Sequence, residues 1–348
     1  MPLRSGLDHP ALWAPLQRRG NHQQRFNKIL TLRLRDFASK KTQKHKMKLL
    51  TYQTKDTEPR LGFIHNNQVI DMEDFGEISN FPLPTSMLEL IDMGFEIIDE
   101  LNSLIADTEP AFFDEIAYEM DEIIFLAPIP KPRKNIIGIG LNYTEHVAES
   151  ARTLDTSNEL PQSPIIFSKP PTTVTATNTN IILNPKLTQQ LDWEVELAVV
   201  IGKKGKYVPK ADAMDYVFGY TVINDISARD CRRSGQWIVS KGQDTFAPMG
   251  PVLVTKDEIS NPYDLNLSLK VNGVEKQNSN TKFMLFNISD LIEDLSTVFT
   301  IEAGDIIATG TPSGVGAGRN PQEWLWDGDV VEATVEGIGT IVNTVKSM

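Results

Sequence analysis

From residue 134 onward the chain is written in short Val- and Ile-rich runs, each cut off by Gly, Pro or Asn. Residues 135–140, 163–168, 197–202, 219–224, 267–273, 305–310 and 329–335 all have this form. Short apolar or alternating runs suit strands, and punctuation this dense leaves little room for helices. Helical spacing is convincing only over 143–150, 209–215 and 288–299. Regular strand–helix alternation is therefore excluded. The pattern predicts an α+β, β-rich fold in which a curled or sandwiched sheet carries helices at its periphery.

Upstream, residues 47–75 also read as strands, with Asn66 and Asn67 at a hairpin-type turn. Residues 86–106 read as one helix, with Leu88, Leu90, Ile91, Phe95, Ile98 and Leu101 at helical spacing. These define a small α+β domain at 47–122, joined to the larger domain at 123–348 by the proline-rich stretch 128–132. Residues 1–46 hold eleven Lys and Arg against Asp8 and Asp36, a charge of +9; the rest holds 23 basic against 44 acidic groups, or −21. The net charge of −12 is thus an average over two unlike parts. The basic extension reads as a disordered arm, as sequence upstream of a start at Met47, or as an organelle transit peptide. The expected location is the cytoplasm, or the mitochondrion if the extension is a transit peptide.

A body this acidic repels phosphates, so no nucleic-acid partner is expected. No apolar stretch approaches the ~18 residues of a membrane-spanning helix. Cys231 is the only cysteine, which rules out an internal disulfide and any multi-cysteine zinc site. Beyond His65 the body has one histidine, His146, so a site built from several imidazoles is impossible too. Attention turns to carboxylates.

In residues 191–202 the acids alternate. On a strand, Asp192, Glu194 and Glu196 project one way while Trp193, Val195 and Leu197 project the other. Residues two apart on a strand are roughly 6.6–6.8 Å apart, close enough for both side chains to converge on one ion. An exposed acidic face is the ordinary alternative, but this strand runs straight into an uninterrupted apolar run, where unpaired acids are costly. Asp225, where an apolar strand gives way to turn-forming residues, is the third candidate ligand. An all-oxygen set suits Mg²⁺ or Mn²⁺ ahead of Ca²⁺ and disfavours zinc.

Residues 139–149, 192–197, 224–230 and 308–316, in that order, resemble the fumarylacetoacetate hydrolase family, and the likeness extends over about 123–348. The resemblance implies a mixed β-roll core, a homodimer and a bound divalent ion. It implies Glu194, Glu196 and Asp225 as metal ligands, and His146 with Glu149 as the catalytic pair. At i and i+3 on a helix opened by Asn142 or Thr144, those two side chains share a face. Lys169, Arg229, Lys241 and Thr311 match positions near the substrate, although Arg229 could equally hold the metal loop together. Cys231 reads as structural. Neither residues 138–142, which lack a third glycine, nor 309–316, with no Gly-Lys-Ser/Thr, forms a nucleotide loop.

The implied activity is metal-dependent hydrolysis of a C–C bond in a small acylpyruvate or fumarylacetoacetate-like acid, by a route in which an enolate forms and His146 activates water. Oxaloacetate decarboxylation and isomerisation of ring-cleavage dioates from aromatic catabolism draw on the same enolate chemistry. A non-catalytic metabolite-binding regulator is the rival of another class. The partner expected in each case is a small carboxylate, and residues 153–162 are expected to close over the site as a lid.

Overall fold

The computed structural model describes residues 45–153, 159–233 and 236–348. Nearly all of the basic extension and the centre of the expected lid lie outside these residues. His45 donates its backbone N–H to Asp257 Oδ2 (2.9 Å), and its ring packs tilted against that of Phe95, with centroids 4.8 Å apart.

The centre of the fold is the strand Val195–Ile201, in which all seven residues are buried. It pairs antiparallel with Val217–Asn224 on one side and with Ile306–Ala308 on the other. Its alternate side chains enter two different cores. Val195, Leu197, Val199 and Ile201 pack in one cluster with Leu267, Leu269, Val331, Ala333 and Ile341 of a separate five-stranded sheet. Ala198 and Val200 join a second cluster with Phe75, Leu90, Ile98 and Leu101 from the N-terminal helices. A strand covered on both faces is apolar without alternation, as residues 197–202 are.

The main sheet has twelve strands. Lys48–Gln53 pairs antiparallel with Ala247–Thr255, so the N-terminal strands extend the central sheet instead of forming their own. Sheet and core both run across the boundary expected at residue 123. Pro128, in the expected linker, accepts a hydrogen bond from Thr51 Oγ1 (2.7 Å), and Ile129 is buried. The arrangement is mixed α+β and strand-rich, as the sequence predicts.

Local signals fare unevenly. Asn66 and Asn67 have φ of 49° and 65°, the left-handed pair that a two-residue hairpin requires. The single helix expected over 86–106 is two helices, Met87–Met93 and Phe95–Asp107. Gly94 separates them at φ 73°, a conformation that glycine adopts without penalty. Residues 209–215 form a 3₁₀ helix, Lys210–Tyr216, whereas Ile288–Val298 is α-helical with an Asn287/Asp290 capping box.

Candidate active site

Leu191–Asp192 pairs with Ser227–Ala228, and the chain then leaves that ribbon before Val195 enters the large sheet. The change of partner breaks the continuous acidic face expected from alternation. Asp192 turns away from the other acids. Its carboxylate accepts from the backbone N–H groups of Gly316 (2.6 Å) and Ala317 (3.0 Å) and from Arg229 Nε (2.8 Å). It therefore anchors a distant loop.

Glu194, Glu196 and Asp225 do come together. Each offers a carboxylate oxygen, and the three oxygens lie within 4.8 Å of one another, all on buried residues. The register of the central pair produces this: Val195 faces Asn224, so Asp225 emerges beside Glu194. Two backbone locks hold the junction, from Asp225 N–H to Glu194 O (2.8 Å) and from Glu194 N–H to Asn224 Oδ1 (3.0 Å).

Three cations surround this triad. Lys241 Nζ donates to Glu194 Oε2 (2.7 Å) and Asp225 Oδ2 (2.6 Å), and Arg229 Nη2 donates to Glu194 Oε1 (2.6 Å). Lys169 donates to Asp225 Oδ1 (2.5 Å), Ile226 O (3.2 Å) and Lys241 O, which occupies its three donors; it is fully buried. Burial alone would raise the Glu194 carboxyl, but Lys241 and Arg229 hold it well below the usual carboxylate range. Burial lowers Lys169, against the attraction of Asp225. For Lys241, the charges of Asp225 and Glu194 outweigh burial and raise it.

Glu196 differs from its neighbours. Oε2 accepts from Gly310 N–H (2.8 Å), whereas Oε1 is buried and has no hydrogen-bond partner. Burial, then the charges of Asp225 and Glu194, push this carboxyl well above its ordinary value. A bare buried oxygen beside two other carboxylates is what a divalent cation relieves, and an all-carboxylate donor set fits Mg²⁺ or Mn²⁺. Gly310 is required for this contact. Its φ is 100°, and a Cβ there would lie 2.6 Å from that of Asn142.

The helix Thr144–Thr153 carries the expected catalytic pair, His146 and Glu149. Asn142, one of the expected caps, is instead tied to Thr309 O (2.7 Å) and to Phe286 O and N–H, which pins the helix start to the 309–311 loop. His146 Nδ1 lies 3.2 Å from Glu149 Oε2, both side chains being buried. Gly314 N–H donates to both Glu149 oxygens (3.0 and 3.2 Å), and Gly314 O accepts from Trp193 Nε1 (3.1 Å). Thus Trp193, on the opposite face from the acids, fixes the loop that fixes the dyad.

His146, Glu194, Arg229, Lys241 and Thr311 line one cavity, together with Arg232 and Trp237. The Thr311 hydroxyl is engaged within the fold, donating to Val195 O (2.9 Å) and accepting from Gln277 Nε2 (2.8 Å). Sequence reasoning missed Arg232 and Trp237. Neither belongs to a recognisable spacing, and only the fold sets them beside the triad.

Fold and site together define a class, and comparison identifies it. Residues 135–346 match the family model described as fumarylacetoacetate (FAA) hydrolase C-terminal. The chain belongs to the fumarylacetoacetate hydrolase family. It is 45% identical over 267 residues to oxaloacetate tautomerase YisK of Bacillus subtilis, covering 76% of this chain and 87% of that one. It is 41% identical over 292 residues to the mitochondrial oxaloacetate tautomerase FAHD2A of Bos taurus, covering 82% and 87%. Among solved structures, a fumarylacetoacetate hydrolase from Exiguobacterium antarcticum superposes with a TM-score of 0.72 at 34% identity, covering 87% of this chain and 100% of that one. No helix among the described residues is long and apolar enough to cross a membrane.

Proposed function

We propose that this protein catalyses proton transfer at the carbon beside the 2-oxo group of a small 2-oxo acid, interconverting its keto and enol forms. Oxaloacetate, the substrate in the names of the relatives cited above, is the first candidate. The observation that carries this reading is that His146, paired with Glu149, lines the same cavity as Glu194 and Lys241.

Glu194, Glu196 and Asp225 would hold Mg²⁺ or Mn²⁺, and the ion would stabilise negative charge on the enolate oxygen. Glu149 accepts from Nδ1–H of His146, which sets the tautomer and leaves Nε2 as the base for the substrate carbon. The same nitrogen returns the proton in the reverse direction. Lys241 donates to Glu194 and Asp225 and holds those two carboxylates in place. Proton removal needs no water, so a buried dyad suits it.

C–C bond hydrolysis is the second reading, favoured by the same dyad because a base that deprotonates carbon can also activate water. Purified protein supplied with Mn²⁺ would be assayed on oxaloacetate, following enol absorbance and pyruvate release, and on acetylpyruvate. The expected result is metal-dependent enol interconversion that Glu194→Ala abolishes. Cleavage of acetylpyruvate without enol interconversion would select the hydrolase, and inactivity of the wild type on both would refute both readings.

A further inference from the structure

Of the three cations that line the cavity, Arg229 and Lys241 are committed to Asp192, Glu194 and Asp225. Arg232 is not committed. Among the described residues no carboxylate stands within ion-pair distance of its guanidinium, which lies over the ring of Trp237 at 4.6 Å. An exposed cation stacked on an aromatic face beside the cavity, with its in-plane donors unspent within the fold, is a fork open to an oxyanion.

The support beneath it is rigid. A Cβ on Gly140 would lie 2.5 Å from Trp237 Cζ3, so the ring occupies the space that a side chain at 140 would take. The other neighbour of Trp237 is Phe167, with ring centroids 5.4 Å apart. Trp237 O also accepts from Lys241 N–H (2.9 Å), which ties this shelf to the lysine that clamps the triad. Burial, then the nearby charge of Arg229, push the Arg232 guanidinium below its ordinary value, with Glu194 only partly offsetting them.

We propose that Arg232 receives a second carboxylate of the substrate, so that the site selects dicarboxylic 2-oxo acids over monocarboxylic ones. One end of the molecule engages the triad and His146, and the far carboxylate accepts from the guanidinium above Trp237. This deepens the function proposed above and rests on the same cavity serving substrate. A bidentate contact of this kind discriminates by about tenfold or more.

Two unreactive C4 probes separate this idea from the catalytic reading. Malate carries the distal carboxylate; 2-hydroxybutyrate has a methyl group in its place. Calorimetric titration of the full chain with Mg²⁺ present should show malate binding at least tenfold tighter. Arg232→Gln should erase that preference while leaving 2-hydroxybutyrate affinity within twofold, and Arg232→Lys should keep part of it. Equal binding of the two probes by the wild type, no binding of either, or a preference that survives Arg232→Gln would each overturn the proposal. If oxaloacetate is turned over while the preference is absent, Arg232 is misassigned and the catalytic reading stands. If the preference is present without turnover, the reverse holds.

Discussion

Replacing Glu196 with Gln should stabilise the metal-free protein and destroy its metal site. The group is fully buried, its Oε1 has no partner, and Asp225 and Glu194 stand beside it. In the metal-free fold its carboxyl is pushed up from an ordinary 4.5, so the folded protein retains a proton there that the unfolded chain has released. Stability from this group is complete below the unfolded value and declines as pH rises through the folded one. Gln is uncharged throughout and can still accept from Gly310 N–H, so it escapes that decline. An unsatisfied buried acceptor costs about 1–3 kcal/mol, and a charged one costs more. Thermal unfolding with EDTA should accordingly show Glu196→Gln melting on the order of 2–6 °C above wild type at pH 8, and by less at pH 6. Saturating Mn²⁺ should reverse the order, since a ligand at about 100 times its Kd adds about 2.7 kcal/mol to wild type alone. Equal melting of the two proteins in EDTA, with equal gains from Mn²⁺, would refute both the strained carboxylate and the metal assignment.

Three further expectations follow from the geometry. His146→Asn should lower kcat by about 10²–10⁴-fold while calorimetric Mn²⁺ affinity stays within twofold; loss of the metal would place the histidine in the wrong role. Gly318→Ala should act on the dyad from outside it, because the new Cβ would fall 2.0 Å from Glu149 Cδ. Its kcat should drop towards that of Glu149→Gln, and unchanged turnover would show that the Glu149 position is immaterial. Thr311→Val should cost about 1–3 kcal/mol in denaturant unfolding by removing the hydroxyl bonds to Val195 O and from Gln277 Nε2, the latter keeping only Pro312 O. A raised KM at unchanged stability would instead return Thr311 to the substrate.

Much of the site is legible in the residues. Glu194, Glu196 and Asp225 are marked by acids placed against apolar strand sequence, and His146 with Glu149 by helical spacing and by the family resemblance. All five converge. The small N-terminal unit is legible in composition but not in its connections. That Lys48–Gln53 would extend the sheet through Ala247–Thr255 depends on pairing two hundred residues apart in sequence, which no local pattern encodes. The lysines show the same limit. Lys169 and Lys241 look alike in sequence, yet one spends its three donors inside the fold while the other faces the cavity.

The sequence by itself determined which groups are available: carboxylates in place of imidazoles and thiols, and short strands able to bury them. Tertiary structure decided what each carboxylate does. Asp192, Glu194 and Glu196 are equivalent by alternation, yet each meets a different field. Asp192 is taken by two backbone N–H groups more than 120 residues away, Glu194 by Arg229 and Lys241, and Glu196 by Gly310 on one oxygen only. A carboxylate's charge and availability depend on the donors and charges around it, and those come from elements that only folding brings near.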